Sequence, residues 1–195
     1  NIDCIVRTGS RNATDLYHLL EDGATGLMIP LVNSAEEAAA LARAVKFPPL
    51  GQRGHDGSGL DNNFYLTGTN GYAAAANEET FLIVQIETPE AVAAADAIAA
   101  VPGVDGLFIG PGDLSLRLGC PMDWSNPQML AAEDAVAAAA ARHGKAWGRP
   151  SGSSEDIAKL DLKGARLIAH GSDFGAVMRM MPVFAKTMKD GLSEV

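Results

Sequence analysis

The sequence is poor in the residues from which the simplest functional signatures are built. It has two cysteines, Cys4 and Cys120, and four histidines spread along the chain. That excludes a disulfide framework, a CxxC redox motif and a His/Cys set at zinc-ligand spacing. Two isolated cysteines fit a reducing compartment, so a cytoplasmic location is expected. There is no basic excess: the net charge is −9, which argues against nucleic acid, a partner that needs a basic footprint. No apolar run approaches the ~20 residues of a membrane span. No signal-peptide pattern opens the chain, because "NIDCIVRTGS" reads as a strand and a turn. No GxGxxG follows a strand, so dinucleotide binding has no support. An initiator methionine is missing too, and the chain starts inside an apolar run, so a fragment of a longer chain is expected.

What is present is a regular alternation of strands and helices. Strand patterns fall at 3–7 ("DCIVR"), 26–30 ("GLMIP"), 81–87 ("FLIVQIE"), 106–110 ("GLFIG"), 145–149 ("KAWGR") and 166–171 ("RLIAHG"). Helical patterns separate them. Leu16, Leu19 and Leu20 mark the first, and Gly23 stops it. Ser34 with Glu37 makes a capping box ahead of an Ala-rich helix. Further helices cover 89–101, 127–144 and 153–164, and a last one begins near Asp173. Residues 51–79 break the rhythm, with six glycines in their first 21 positions. Long irregular stretches of that kind are usually functional or mobile. Repeated βα units with continuous apolar strands predict a parallel sheet covered by helices. An open doubly wound sheet and a closed (β/α)8 barrel both satisfy this. Eight units usually need ~250 residues, so six units in 195 residues predict one β/α domain: a TIM-type barrel without its first two units.

In either architecture chemistry gathers at the C-terminal ends of strands. Glu87 closes "FLIVQIE" and Asp113 follows "LFIGPG", one βαβ unit later. Two carboxylates on neighbouring strand tips repel unless a cation lies between them. A hard ion, Mg²⁺ or Mn²⁺, suits that donor set better than zinc. The plainer alternative is that Glu87 caps the following helix and Asp113 starts a turn. Arg53, between Gly51 and Gly54, has a guanidinium suited to a carboxylate or enolate oxygen, or to a surface ion pair. Backbone amides at Gly112 and Asp113 open a short helix and can receive an anion. Gln85 shares a strand face with Glu87. Arg149 and His170 also end strands, and a pocket role and a bland one weigh equally for them.

The blocks "PPLGQRG", "VQIET" and "GPGDLS", in this order and spacing, resemble the HpcH/HpaI aldolase family of class II, metal-dependent pyruvate aldolases. The resemblance runs from about residue 5 to the C-terminus. It implies a (β/α)8 barrel and a homo-oligomer, a hexamer or trimer of dimers, with the last helix exchanged between subunits. It implies Glu87 and Asp113 as ligands of Mg²⁺, Mn²⁺ or Co²⁺. Arg53 would then bind the pyruvate oxygen and stabilise the enolate, Gln85 would orient a metal-bound water, and the amides of Gly112 and Asp113 would take the carboxylate. The substrates would be a 2-oxo acid and a small aldehyde, with no nucleic acid and no membrane as partners. The family's catalytic histidine follows the second strand, and this chain begins at what corresponds to the third. Arg149 and His170 replace residues that are usually apolar in the family. Two other readings stay open: related enolate chemistry, either decarboxylating or of the citryl- or malyl-CoA lyase kind, and an inactive paralogue acting as a binding or assembly subunit.

Overall fold

The computed structural model describes residues 2–56, 58–66 and 70–192. Six strands, β1 (Ile5–Arg7), β2 (Gly26–Ile29), β3 (Phe81–Ile86), β4 (Gly106–Ile109), β5 (Ala146–Pro150) and β6 (Leu167–Ala169), form one sheet in the order β1-β2-β3-β4-β5-β6. Every neighbouring pair is parallel. Sequential order with a crossover after each strand puts all the connections on one face. The sheet curls: Ile5 and Arg7 of one edge and Leu167 of the other line the same cavity of about 430 Å³. The result is a parallel half-barrel with β1 and β6 as its open edges.

Strand alternation divides the side chains between two environments. Leu27, Ile29, Leu82, Val84, Ile86, Leu107, Ile109 and Trp147 face the helices and build the core. Met28, Ile83, Gln85 and Phe108 face the concave side and line the cavity. Burying a Leu or Ile side chain is worth about 1.5–3 kcal/mol, so the convex, helix-covered face supplies most of the driving force.

The helices start where capping chemistry allows. Asn12 caps α1 (Ala13–Glu21), and Ser34 caps α2 (Ala35–Val45) by accepting from the Glu37 amide. Glu37 reaches back to the Asn33 amide rather than to that of Ser34. Helix α3 (Tyr72–Glu79) lies in the stretch that the sequence leaves irregular. The helix expected at 89–101 is two short ones, α4 (Pro89–Ala93) and α5 (Ala95–Ala99), broken at Ala94. Then come α6 (Pro111–Arg117), α7 (Pro127–His143), α8 (Ser154–Leu162) and α9 (Asp173–Leu192). No residue of α9 is buried. Among the described residues no helix is long and apolar enough to cross a membrane.

Lys46 fixes which end of the sheet is which. It follows α2, and its buried ammonium bonds the Thr80 carbonyl, just before β3, and lies 3.0 Å from Asp105, just before β4. The end of α2 and the segment after it therefore lie at the N-terminal ends of the strands.

Candidate active site

Glu87 leaves β3 at its C-terminal end and is 3% exposed. It does not cap the next helix. Thr88 does, accepting from the Ala91 amide at 3.0 Å, so the Glu87 carboxylate is released for other partners. Its Oε1 accepts from the Leu31 amide at 2.8 Å. Its Oε2 lies over Gly110, where a Cβ would stand 2.1 Å from it. Glycine at 110 is required to let the carboxylate in. Burial pushes the Glu87 carboxyl above the usual carboxylate range; the Leu31 amide opposes this, the Asp113 charge adds to it, and Arg7 opposes it again.

Gly110 leads directly into α6, whose first turn holds Gly112 and Asp113. The first intrahelical bond runs from Leu114 N to Gly110 O. The amides of Gly112 and Asp113 thus precede the ladder, and the space above Gly112 is open. The Asp113 side chain is half exposed, with Arg117 at 3.9 Å.

Arg7 completes the group, and the sequence reading passed over it. It is the last residue of β1 and lines the cavity, where its Nε donates to Gln85 Oε1 at 2.6 Å. Its signal was present: a charged residue closing an apolar strand, as Glu87 closes "FLIVQIE".

Arg53 is elsewhere, which corrects its expected catalytic and substrate-binding role. Its amide donates to the Lys46 carbonyl, on the N-terminal face. Its side chain is 1% exposed, pairs with Asp61 at 2.6 Å and lies 4.6 Å from the Phe47 ring centroid. Asp61 also accepts from the Tyr72 hydroxyl. The reason is topological: a segment that follows a helix and precedes a strand returns to the N-terminal side of the sheet. The irregular stretch thus departs from the N-terminal side of the sheet; its residues 57 and 67–69 lie outside the described residues.

Arg149 is not a pocket residue either. It shares a strand face with Trp147 and points into the helix layer. Its guanidinium bonds Glu133 at 2.6 Å and Asp156 at 2.7 and 2.8 Å, and stacks on Trp124 at 4.1 Å. Burial works against its charge, but the bonds it donates to Asp156 and Glu133, with their negative charges, outweigh that and raise its pKa. Arg149 in turn holds the Asp156 carboxyl down to about 2. His170 does stand at the C-terminal end of β6, with its Nδ1 2.8 Å from the Ser151 carbonyl oxygen.

Four side chains thus meet at the strand tips: Arg7, Gln85, Glu87 and Asp113. Among the described residues, no three His, Cys, Asp or Glu side chains gather as a metal cluster. Two neighbouring carboxylates, with the Asp113 charge disfavouring ionisation of Glu87 and an amide oxygen nearby, suit a hard divalent ion completed by water and substrate oxygens. The donors fit that ion and not zinc.

Fold and site together define a curled, parallel β/α protein with paired carboxylates and an arginine at the carboxyl ends of its strands. The HpcH/HpaI aldolase/citrate lyase family model matches residues 2–179. The chain belongs to that family. It is 39% identical over 189 residues to the hydroxypyruvate/pyruvate aldolase of Pseudomonas aeruginosa, covering 96% of this chain and 69% of that protein. It is 40% identical over 169 residues to the hydroxypyruvate/pyruvate aldolase of Delftia acidovorans, covering 87% of this chain and 62% of that one. The chain thus spans about two thirds of the length of these relatives. The crystal structure of an HpcH/HpaI aldolase from Desulfitobacterium hafniense superposes with a TM-score of 0.89 at 32% identity, over 96% of this chain and 73% of the other.

Proposed function

We propose that the protein is a carbon–carbon lyase, a class II aldolase that cleaves and forms aldols of a 2-oxo acid through a pyruvate enolate, with a small aldehyde as co-substrate. The observation that carries this reading is that Arg7 and Gln85, which line one cavity, come together at the strand tips with the carboxylates of Glu87 and Asp113. The names of its relatives support it. Glu87 and Asp113 would hold a divalent ion, Mg²⁺ or Mn²⁺, with Co²⁺ also suited to oxygen donors. Bound there, such an ion polarises the oxygens of the 2-oxo acid as a Lewis acid.

The chain's own groups do the rest. Gln85 fixes Arg7 through Nε, leaving both Nη groups for the oxygen that gains charge as the C–C bond breaks. The amides of Gly112 and Asp113 receive the substrate carboxylate. Met28, Ile83 and Phe108 make the cavity wall beside Arg7 and Gln85 apolar, which strengthens the contacts of the Arg7 charge. The fold reading that accompanies this is a (β/α)8 barrel, to which these six strands contribute; the gap between edges β1 and β6 supports it. A cytoplasmic location is in keeping with two unpaired cysteines. A homo-oligomer is part of the same proposal, because α9 exposes Phe174, Val177, Met181, Phe184 and Met188.

The test is proton exchange at C3 of pyruvate in D₂O, followed by NMR, together with condensation onto a panel of aldehydes. Exchange that requires Mg²⁺ or Mn²⁺, stops with a chelator and is lost in Glu87→Gln is the expected result. No exchange and no condensation with either ion would overturn the assignment.

A further inference from the structure

Leu31 has a φ of 54°, the left-handed region that L-residues with a large side chain rarely enter. It is 40% exposed, so core packing does not force it there. In that conformation its amide donates to Glu87 Oε1 at 2.8 Å. The backbone around it is gripped by one side chain from another turn. Arg11, in the connection from β1 to α1, donates from Nη2 to the Pro30 carbonyl at 2.7 Å and to the Leu31 carbonyl at 2.9 Å. Arg11 forms no ion pair among the described residues, so both of its resolved bonds go to this turn. A weaker contact comes from Asn33 Nδ2 to the Leu31 carbonyl at 3.4 Å, with Asn33 itself held by the Thr88 hydroxyl at 2.6 Å.

We propose that Arg11 is a positioning residue for the Glu87 carboxylate. By clamping the carbonyls of Pro30 and Leu31 it holds Leu31 left-handed, which aims the Leu31 amide at Oε1. With Oε1 engaged, Oε2 is left over Gly110 on the side of α6 and Asp113. The order of action is Arg11, the strained turn, the amide, then the carboxylate. This rests on the reading of Glu87 as a metal ligand. It adds a residue to that site which touches neither ion nor substrate.

The test uses Mn²⁺ alone as the probe, with affinity read by electron paramagnetic resonance on the whole chain. A partner of a ligating carboxylate typically contributes 10–100-fold to metal affinity, so Arg11→Ala should weaken Mn²⁺ binding roughly tenfold. Glycine enters positive φ without steric cost, so Arg11→Ala combined with Leu31→Gly should recover most of the loss. In the metal-free protein, the Leu31 amide proton should move upfield in Arg11→Ala as its bond to Glu87 loosens. Unchanged Mn²⁺ affinity in Arg11→Ala would overturn the inference. So would a loss that Leu31→Gly fails to recover, since Arg11 would then act through its charge and not through the turn. Glu87→Gln separates this from the metal reading. If Glu87→Gln binds Mn²⁺ as the parent does, Glu87 is not a ligand, and the Leu31 amide shift alone decides whether Arg11 governs its contact with Glu87.

Discussion

Two arginines compete for the role of enolate stabiliser, and the structure assigns them opposite consequences. Arg7→Ala removes the 2.6 Å bond that the guanidinium donates to Gln85 Oε1, a charge-assisted bond of a kind that contributes about 1.5–3 kcal/mol. It also removes a cation that favours the charged form of Glu87. Loss of a preorganised donor facing a developing oxyanion costs about 10²–10³ in turnover. Oxalate, a planar dianion shaped like the pyruvate enolate, reports the same loss without turnover. Titration calorimetry in the presence of Mn²⁺ should show its affinity falling about 100-fold in Arg7→Ala. Arg7→Lys should fall between, because it keeps the charge and loses the planar fork. Arg53→Ala should bind oxalate as the parent does. Its defect should be stability: Asp61, 10% exposed, loses its cation. Breaking a buried pair costs about 3–5 kcal/mol, a fall in Tm on the order of 10 °C for a domain of this size. If folded Arg53→Ala loses oxalate binding while Arg7→Ala retains it, the assignment of the two ends of the sheet is wrong.

Gly110→Ala places a Cβ 2.1 Å from Glu87 Oε2 and should weaken Mn²⁺ binding about tenfold or more, with circular dichroism unchanged. Arg149→Met strips cations from Glu133 and Asp156, though Lys163 still holds Glu133 at 2.7 Å. It should cost roughly 3 kcal/mol in urea unfolding without altering Mn²⁺ affinity, whereas a metal-binding defect in a fully folded variant would return Arg149 to the pocket. Asp156 has its pKa lowered from 3.8 to about 2 by the Arg149 bond first. Its contribution to stability is therefore complete above 3.8 and lost as pH falls through about 2. With its side chain 33% exposed, solvent screening leaves roughly 1–2 kcal/mol. Asp156→Asn should show a smaller drop in Tm than the parent across that window; equal drops would mean that the pair is worth nothing.

The sequence by itself determined the six strands, because each is a short, mostly apolar run bounded by turn or helix signals, which is what the interior of a parallel sheet demands. It marked several helix starts, since Asn12, Ser34, Thr88, Asn126 and Ser153 satisfy orphan amides through contacts within three residues. It also placed Glu87 and Asp113 at the functional end, because a residue that follows a strand in a βα unit always emerges there. Parity along the chain held two further answers. Arg149 alternates with Gly148 and Pro150 and so shares the face of buried Trp147, and Arg53 follows a helix and so returns to the N-terminal side. Only tertiary structure decided the partners. Arg7 meets Gln85 and Arg11 meets the Leu31 turn because curvature and register bring separate βα units within hydrogen-bond reach, while Arg53 meets Asp61 through the folding of a single connection. Those distances depend on how the strands stagger around the half-barrel, a property of the whole sheet that no single segment encodes.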